Sequence, residues 1–141
     1  MTLLRAVSVP PARILVAAPN RAGELFLCKL RERGLPHAAI VNNAYERSRI
    51  EALGISPVIT VDTRDKSTWL PPDYPIGKVF LFEDSMSLCC RYIQLCQSWN
   101  TGSIHAVTRT DCSSTIYRAL GVRHLRYTTK RDIADMVRRT V

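Results

Sequence analysis

From Arg13 onward the chain alternates between short apolar runs and longer amphipathic stretches. Ile14-Leu15-Val16-Ala17-Ala18 is apolar throughout, and it turns over Pro19-Asn20-Arg21 into a helical pattern that stops at Gly34. Such a run, bounded by a turn, predicts a buried strand, and the order strand–turn–helix is the first half of a βαβ unit. Pro36 to Asn43 predicts a second strand ending in polar residues. Ala44 to Leu53 predicts a helix with Tyr45, Ile50 and Leu53 apolar and Gly54 as its stop. Ser56 to Asp62, rich in β-branched residues, is a third strand, followed over Thr63 to Trp69 by a loop or single helical turn.

Leu70 to Gly77 carries three prolines and a glycine and predicts a loop. Lys78 to Glu83 is apolar through its middle, as a parallel strand buried on both faces requires. Asp84-Ser85 offers a cap for a helix over Met86 to Trp99. Met86, Cys89, Ile93 and Cys96 recur there at helical spacing, and Leu88, Tyr92, Leu95 and Trp99 widen the stripe. That width predicts burial by the sheet on one side and by another chain on the other. Ser103 to Thr108 is a fifth strand. A helix over Cys112 to Leu120 follows, with Asp111 as cap and Ile116, Ala119 and Leu120 inward. Arg123 to Tyr127 is a short sixth strand at the sheet edge, where charge discourages further pairing. Thr128 or Thr129 caps a last helix with Ile133, Met136 and Val137 inward.

Strand and helix thus alternate about six times. The fold class is α/β: a single doubly wound, mainly parallel Rossmann-like sheet in the order 3-2-1-4-5-6, with helices on both faces. Residues 1–12 are expected as an N-terminal arm or edge strand ended by Pro10-Pro11, or as a loose tail, and residues 13–141 as the Rossmann-like domain. In open sheets of this class ligands sit outside the carboxyl ends of the strands where the strand order reverses. Here that crevice lies between the ends of strands one and four, which carry Ala18 to Ala22 and Phe82 to Ser85.

Composition changes this picture little. The 141 residues suffice for one domain, and 46% hydrophobic with 23% charged is ordinary for a soluble globular fold. Apolar runs are strand-length, so no transmembrane segment and no signal peptide is expected, and the expected location is cytoplasmic. Five cysteines without a CxxC pair fit free, buried thiols in a reducing compartment. Net charge is +8, which favours acidic partners. Arg118, Arg123, Arg126, Lys130, Arg131, Arg138 and Arg139 gather near the C-terminus, and a solvated face is favoured there over a nucleic-acid site. His37, His105 and His124 stand apart, so no metal site is expected.

The layout resembles the N-terminal nucleotide-binding domain of Trk-type or RCK-type potassium-uptake regulators. Three segments carry the resemblance: ILVAAPNRAGELFLCKLRERG, VITVDTRDKSTWL, and the run from KVFLFEDSMSLCCRYIQLCQSW through SIHAVTRTDCSSTIYRALGVRHLRYT. It implies a regulatory or sensor domain, non-catalytic, that binds NAD(H) or an ADP-like nucleotide and works as a homodimer. The implied cofactor-binding residues are Ala18, Pro19, Asn20, Arg21, Ala22 and Gly23 at the turn, with the amides of Arg21 to Gly23 on phosphate. Asn42 and Asn43 stand at the ribose, Asp62, Thr63 and Arg64 at the adenine, and Phe82 and Glu83 at the crevice end of the fourth strand.

The turn departs from the pattern G-x-G-x-x-G. Only the third glycine survives, as Gly23, whose role is close helix–strand packing. Asn20 replaces the second glycine and fills space that a pyrophosphate uses. Asn42 and Asn43 replace the ribose acid, which opens an NADP(H) reading with Arg47 and Arg49 on a 2′-phosphate. Glu83-Asp84 reads as an acid pair in the crevice or, more simply, as a polar strand end and a helix cap. The alternative to a nucleotide domain is a degenerate one that takes no cofactor and serves as a protein-interaction or dimerisation module. A small oxidoreductase ranks last, since no general acid is positioned.

Overall fold

The computed structural model describes residues 11–109, 113–127 and 132–140. The arm expected over the first residues and the caps expected at Asp111, Thr128 and Thr129 lie outside them. In chain order the elements are β1 (Arg13–Ala17), α1 (Arg21–Glu32), β2 (His37–Val41), α2 (Ala44–Ala52) and β3 (Val58–Thr60). A 3-10 turn follows at Lys66–Thr68, then β4 (Ile76–Phe82), α3 (Met86–Ser98), β5 (Ile104–Thr108), α4 (Ser114–Ala119), β6 (His124–Tyr127) and α5 (Asp132–Thr140). All five strand pairings are parallel and the order is β3-β2-β1-β4-β5-β6, as the alternation of apolar runs predicts.

Because the side chains of a strand alternate between faces, one apolar run serves two cores. On one face Leu15, Ala38, Ile40, Val79, Leu81 and Ala106 meet α3 through Cys89, Tyr92, Ile93 and Cys96. On the other, Val16, Ala39, Phe80 and Val107 meet α1 through Phe26, Leu27 and Leu30, with Ile50 of α2 and Ile133, Met136 and Val137 of α5. The helices that stop at Gly34, Gly54 and Gly121 do so because these residues take φ of +67°, +81° and +100°, which a Cβ disfavours.

Several boundaries shift from the sequence reading. β4 opens at Ile76, so Gly77 is a strand residue and not loop. Gly77 carbonyl accepts from Gly102 N at 3.0 Å, and a Cβ on Gly102 would stand 2.7 Å from that oxygen. β3 is only Val58–Thr60, and β4 ends at Phe82, one residue before Glu83. On α4 the inward residue is Tyr117, fully buried, while Ile116 and Ala119 face out and Leu120 is half-buried. The helix spans only Ser114–Ala119, and that short register puts Tyr117 over the sheet. Tyr45 on α2 is also exposed.

Much of the wide stripe on α3 is covered by the chain itself. Tyr92 is 3% exposed, and Trp69, Tyr74 and Trp99 pack on the same core, so the chain's own loop covers the flank. Trp99 Nε1 ties this loop down by donating to Trp69 carbonyl at 3.1 Å.

His105 sits inside the second face, stacked between Phe80 (4.6 Å) and His124 (4.3 Å). Arg126 Nε donates to its Nδ1 at 3.4 Å, so the proton is on Nε2, which donates to Ser103 Oγ at 2.9 Å. Burial first, then the charges of His124, Arg126 and Lys78, hold His105 down at about 4. Its folded value lies below that of the unfolded chain, so the unfolded state binds the extra proton. Stability from this group is complete above about pH 6.5 and is lost as pH falls toward 4. Urea midpoints measured from pH 7 to 4 are expected to fall, with a limiting slope from this group of about 1.4 kcal/mol per pH unit. His105→Gln is expected to flatten that slope. Leu81→Ala, at a fully buried position on the central strand, is expected to cost about 2–5 kcal/mol by equilibrium denaturation.

Candidate functional site

The polar groups of a sheet buried on both faces collect at its strand ends, and here the carboxyl ends hold most of the residues singled out by sequence. Asn20 is the N-cap of α1, with φ −136°, so it does not take the positive φ of a glycine turn. Its Oδ1 accepts from Gly23 N at 3.0 Å, and its Nδ2 donates to Glu83 carbonyl at 3.0 Å. One side chain therefore closes the helix start and ties the β1–α1 turn to the end of β4, across the point where the strand order reverses. Of the amides expected on phosphate, Gly23 N–H is taken by this cap. Arg21 and Ala22 keep theirs, since the first amides of a helix have no intrahelical acceptor.

Gly23 is a packing residue. A Cβ there would lie 2.7 Å from Ala18 Cα and 3.1 Å from Phe82 Cγ. Phe82, expected at the crevice end of the fourth strand, is 2% exposed and packs into the core, its ring 5.5 Å from that of Phe26. Helix α3 is capped by Ser85, whose Oγ accepts from Leu88 N at 3.2 Å, and not by Asp84. Glu83 is more than a strand end. Its backbone holds Asn20 and pairs with Val107 carbonyl at 2.9 Å, while its carboxylate accepts from the buried Tyr117 hydroxyl. Burial, then that hydrogen bond, pushes the Tyr117 hydroxyl upward.

The ends of β2 and β3 are joined in the same way. Asn42 Oδ1 accepts from Thr63 N at 2.9 Å, and Thr63 Oγ1 accepts from Arg91 Nε of α3 at 3.0 Å. Asn43 caps α2, its Oδ1 accepting from Glu46 N at 2.8 Å, and Glu46 Oε1 returns to Asn42 N at 3.0 Å. Asp62 closes its own loop: its Oδ1 accepts from Arg64 N and its carbonyl from Trp69 Nε1, both at 2.9 Å. Arg64 is exposed.

Beside the turn, a cleft of about 240 Å³ opens between α1 and α2, lined by Ala18, Pro19, Glu24, Tyr45, Glu46, Arg49 and Ile50. Glu24 is 3% exposed and carries a charge partner on each side: Arg49 from α2, and Arg21 at 3.6 Å. A buried carboxylate is tolerated only with such partners. The contact with Glu24 keeps Arg49 protonated well above its usual range. Arg49 is thus bound to Glu24, not waiting for a 2′-phosphate. Arg47 likewise donates to Thr60 Oγ1 at 2.8 Å and pairs with Glu51 at 3.3 Å.

Sequence reasoning missed Glu24, Glu46, Arg91 and Tyr117. Only the spacing Asn43-x-x-Glu46 carried a signal, that of a reciprocal cap. The thiols near the crevice are not activated: burial pushes Cys89 up to about 12 and raises Cys90 as well. Among the described residues no cluster of His, Cys, Asp and Glu is arranged to hold a metal.

This arrangement is that of a Rossmann-type α/β domain whose strand ends are tied by side-chain hydrogen bonds. No protein-family model and no curated protein matches the chain. Solved structures do. The GsuK channel bound to NAD is similar over 87% of this chain, with a TM-score of 0.66 and 14% identity. The GsuK RCK domain is similar over 88%, with a TM-score of 0.66 and 13% identity. The TrkA-N domain of inner membrane protein YbaL from Escherichia coli is similar over 92%, with a TM-score of 0.63 and 12% identity. The fold is therefore that of RCK and TrkA-N domains. The chain spans 24% and 29% of the two GsuK chains and 96% of the TrkA-N domain. Among the described residues, no helix is long and apolar enough to cross a membrane.

Asn20 contributes a cap and a cross-crevice tie, and substitutions separate the two. Asn20→Ser keeps a capping oxygen and is expected to cost about 1 kcal/mol, whereas Asn20→Ala is expected to cost about 2 kcal/mol in urea denaturation.

Proposed function

We propose that this chain is a non-catalytic regulatory domain that binds an adenine nucleotide, NAD(H) or ADP-like, at the carboxyl ends of β1 and β4. The observation that carries this reading is the Ala18–Gly23 turn, which delivers the N-terminus of the 12-residue α1 to the strand-order reversal. There the macrodipole and the amides of Arg21 and Ala22 favour a phosphate. The fold shared with a channel bound to NAD supports the choice of ligand. In this reading the Arg21 side chain, two-thirds exposed, adds a cation, and the loop of Asp62 to Arg64 faces the adenine. Asn20 competes with the ligand: its tie to Glu83 opens when phosphate enters.

A second reading, a module that takes no cofactor and binds a second copy or another protein, is favoured by the internal pairing of Asn20, Asn42 and Asn43. Met86 at the start of α3 and Ile116 on α4 are exposed and apolar.

Calorimetry and thermal shift against NAD, NADH, ADP and ATP separate the two. Ligand at about 100 times Kd is expected to add about 2.7 kcal/mol of stability. Asn20→Gly is expected to lower the melting temperature yet tighten nucleotide binding about tenfold, because it removes both a native contact and a competitor. No binding of any of these at millimolar concentration overturns the first reading. A dimer by solution mass without ligand would then support the second.

A further inference from the structure

Glu46 belongs to the first turn of α2, yet its carboxylate does not point along the helix. Its Oε1 accepts from Asn42 N at 3.0 Å, which folds the group back over the end of β2. The same side chain lines the cleft with Ala18 and Pro19 of the β1–α1 turn. It therefore stands between the end of β2 and the turn, the interval an adenosine ribose spans when its phosphates rest on the start of α1.

The residues expected at the ribose are otherwise engaged: Asn42 Oδ1 holds Thr63 N, and Asn43 Oδ1 holds Glu46 N. Glu46 Oε2, by contrast, takes no hydrogen bond or ion pair among the described residues. The two arginines that would favour a 2′-phosphate are turned to Glu24, Glu51 and Thr60.

We infer that Glu46 replaces the missing strand-end acid, holding the ribose diol and restricting the site to nucleotides whose adenosine ribose is not phosphorylated. A carboxylate accepts two hydroxyl donors well, and it repels a phosphate placed on either of them. The inference rests on the nucleotide reading above.

The test is calorimetric titration of the full chain with NADH, NADPH, ADP and adenosine 2′,5′-bisphosphate, wild type beside Glu46→Gln and Glu46→Ala. The Gln variant retains an oxygen for Asn42 N–H and removes only the charge, and a thermal melt checks that each variant folds. The expected result is NADH over NADPH, and ADP over the bisphosphate, by about tenfold or more. Glu46→Gln is expected to weaken NADH and to reduce each preference by about threefold or more, with Glu46→Ala reducing it further. Equal affinities, or ratios unchanged in folded Glu46→Gln, overturn the role of Glu46 while leaving nucleotide binding intact. A preference for NADPH that Arg47→Gln or Arg49→Gln abolishes also overturns it. Absence of binding by all four ligands overturns the nucleotide reading and this inference together.

Discussion

The Asn20 side chain joins two segments 63 residues apart, the β1–α1 turn and the end of β4, and the state of the crevice depends on that join. The central strands are buried on both faces, so their own backbone groups are satisfied by the ladders. Only where the chain leaves the sheet do amides and carbonyls need other partners. At the carboxyl edge Asn20, Asn42, Asn43, Thr63 and Glu83 supply them. These are largely the positions at which a Rossmann-type domain meets its ligand.

In the proposed binding mode phosphate takes the Arg21 and Ala22 amides and displaces Asn20 only where its Oδ1 holds Gly23 N. The exchange is also coupled outward. Glu83 receives Asn20 on its carbonyl and Tyr117 on its carboxylate, and Arg91 of α3 holds Thr63, which in turn holds Asn42. Hydrogen bonds thus link the crevice to groups on α3 and α4, and in the proposed regulatory role that network is the route from the crevice to the surface. Buried Glu24, paired with Arg49 of α2 and with Arg21, joins α1 to α2 beside the crevice.

Much of the architecture was legible in the residues. Apolar runs of strand length, separated by helical stripes, gave six parallel strands in the right order, because burial on both faces leaves a continuous signature. Gly34, Gly54 and Gly121 marked helix ends, because positive φ selects glycine. Gly23 was rightly assigned to packing. On the wide α3 stripe, Trp69 and Tyr74 pack on the same core as Tyr92, and periodicity reports that a face is apolar without naming what covers it. Ile116 and Tyr117 exchanged roles because α4, at six residues, is too short for a periodicity to fix its inward face.

The sequence by itself determined the class of fold, the strand order and the edge at which a site would lie, since these follow from local periodicity and from right-handed crossovers. It also showed that two of the three motif glycines and the ribose acid were gone. The tertiary structure decided what stands in their place. Whether Asn20 fills a phosphate site or clasps Glu83, whether Arg49 is free or bound to Glu24, and where the Glu46 carboxylate points are set by partners distant in the chain or by how a side chain folds back. Hydrogen-bonding side chains carry no local signature of the partner they will take, so only the packed strand ends could assign them.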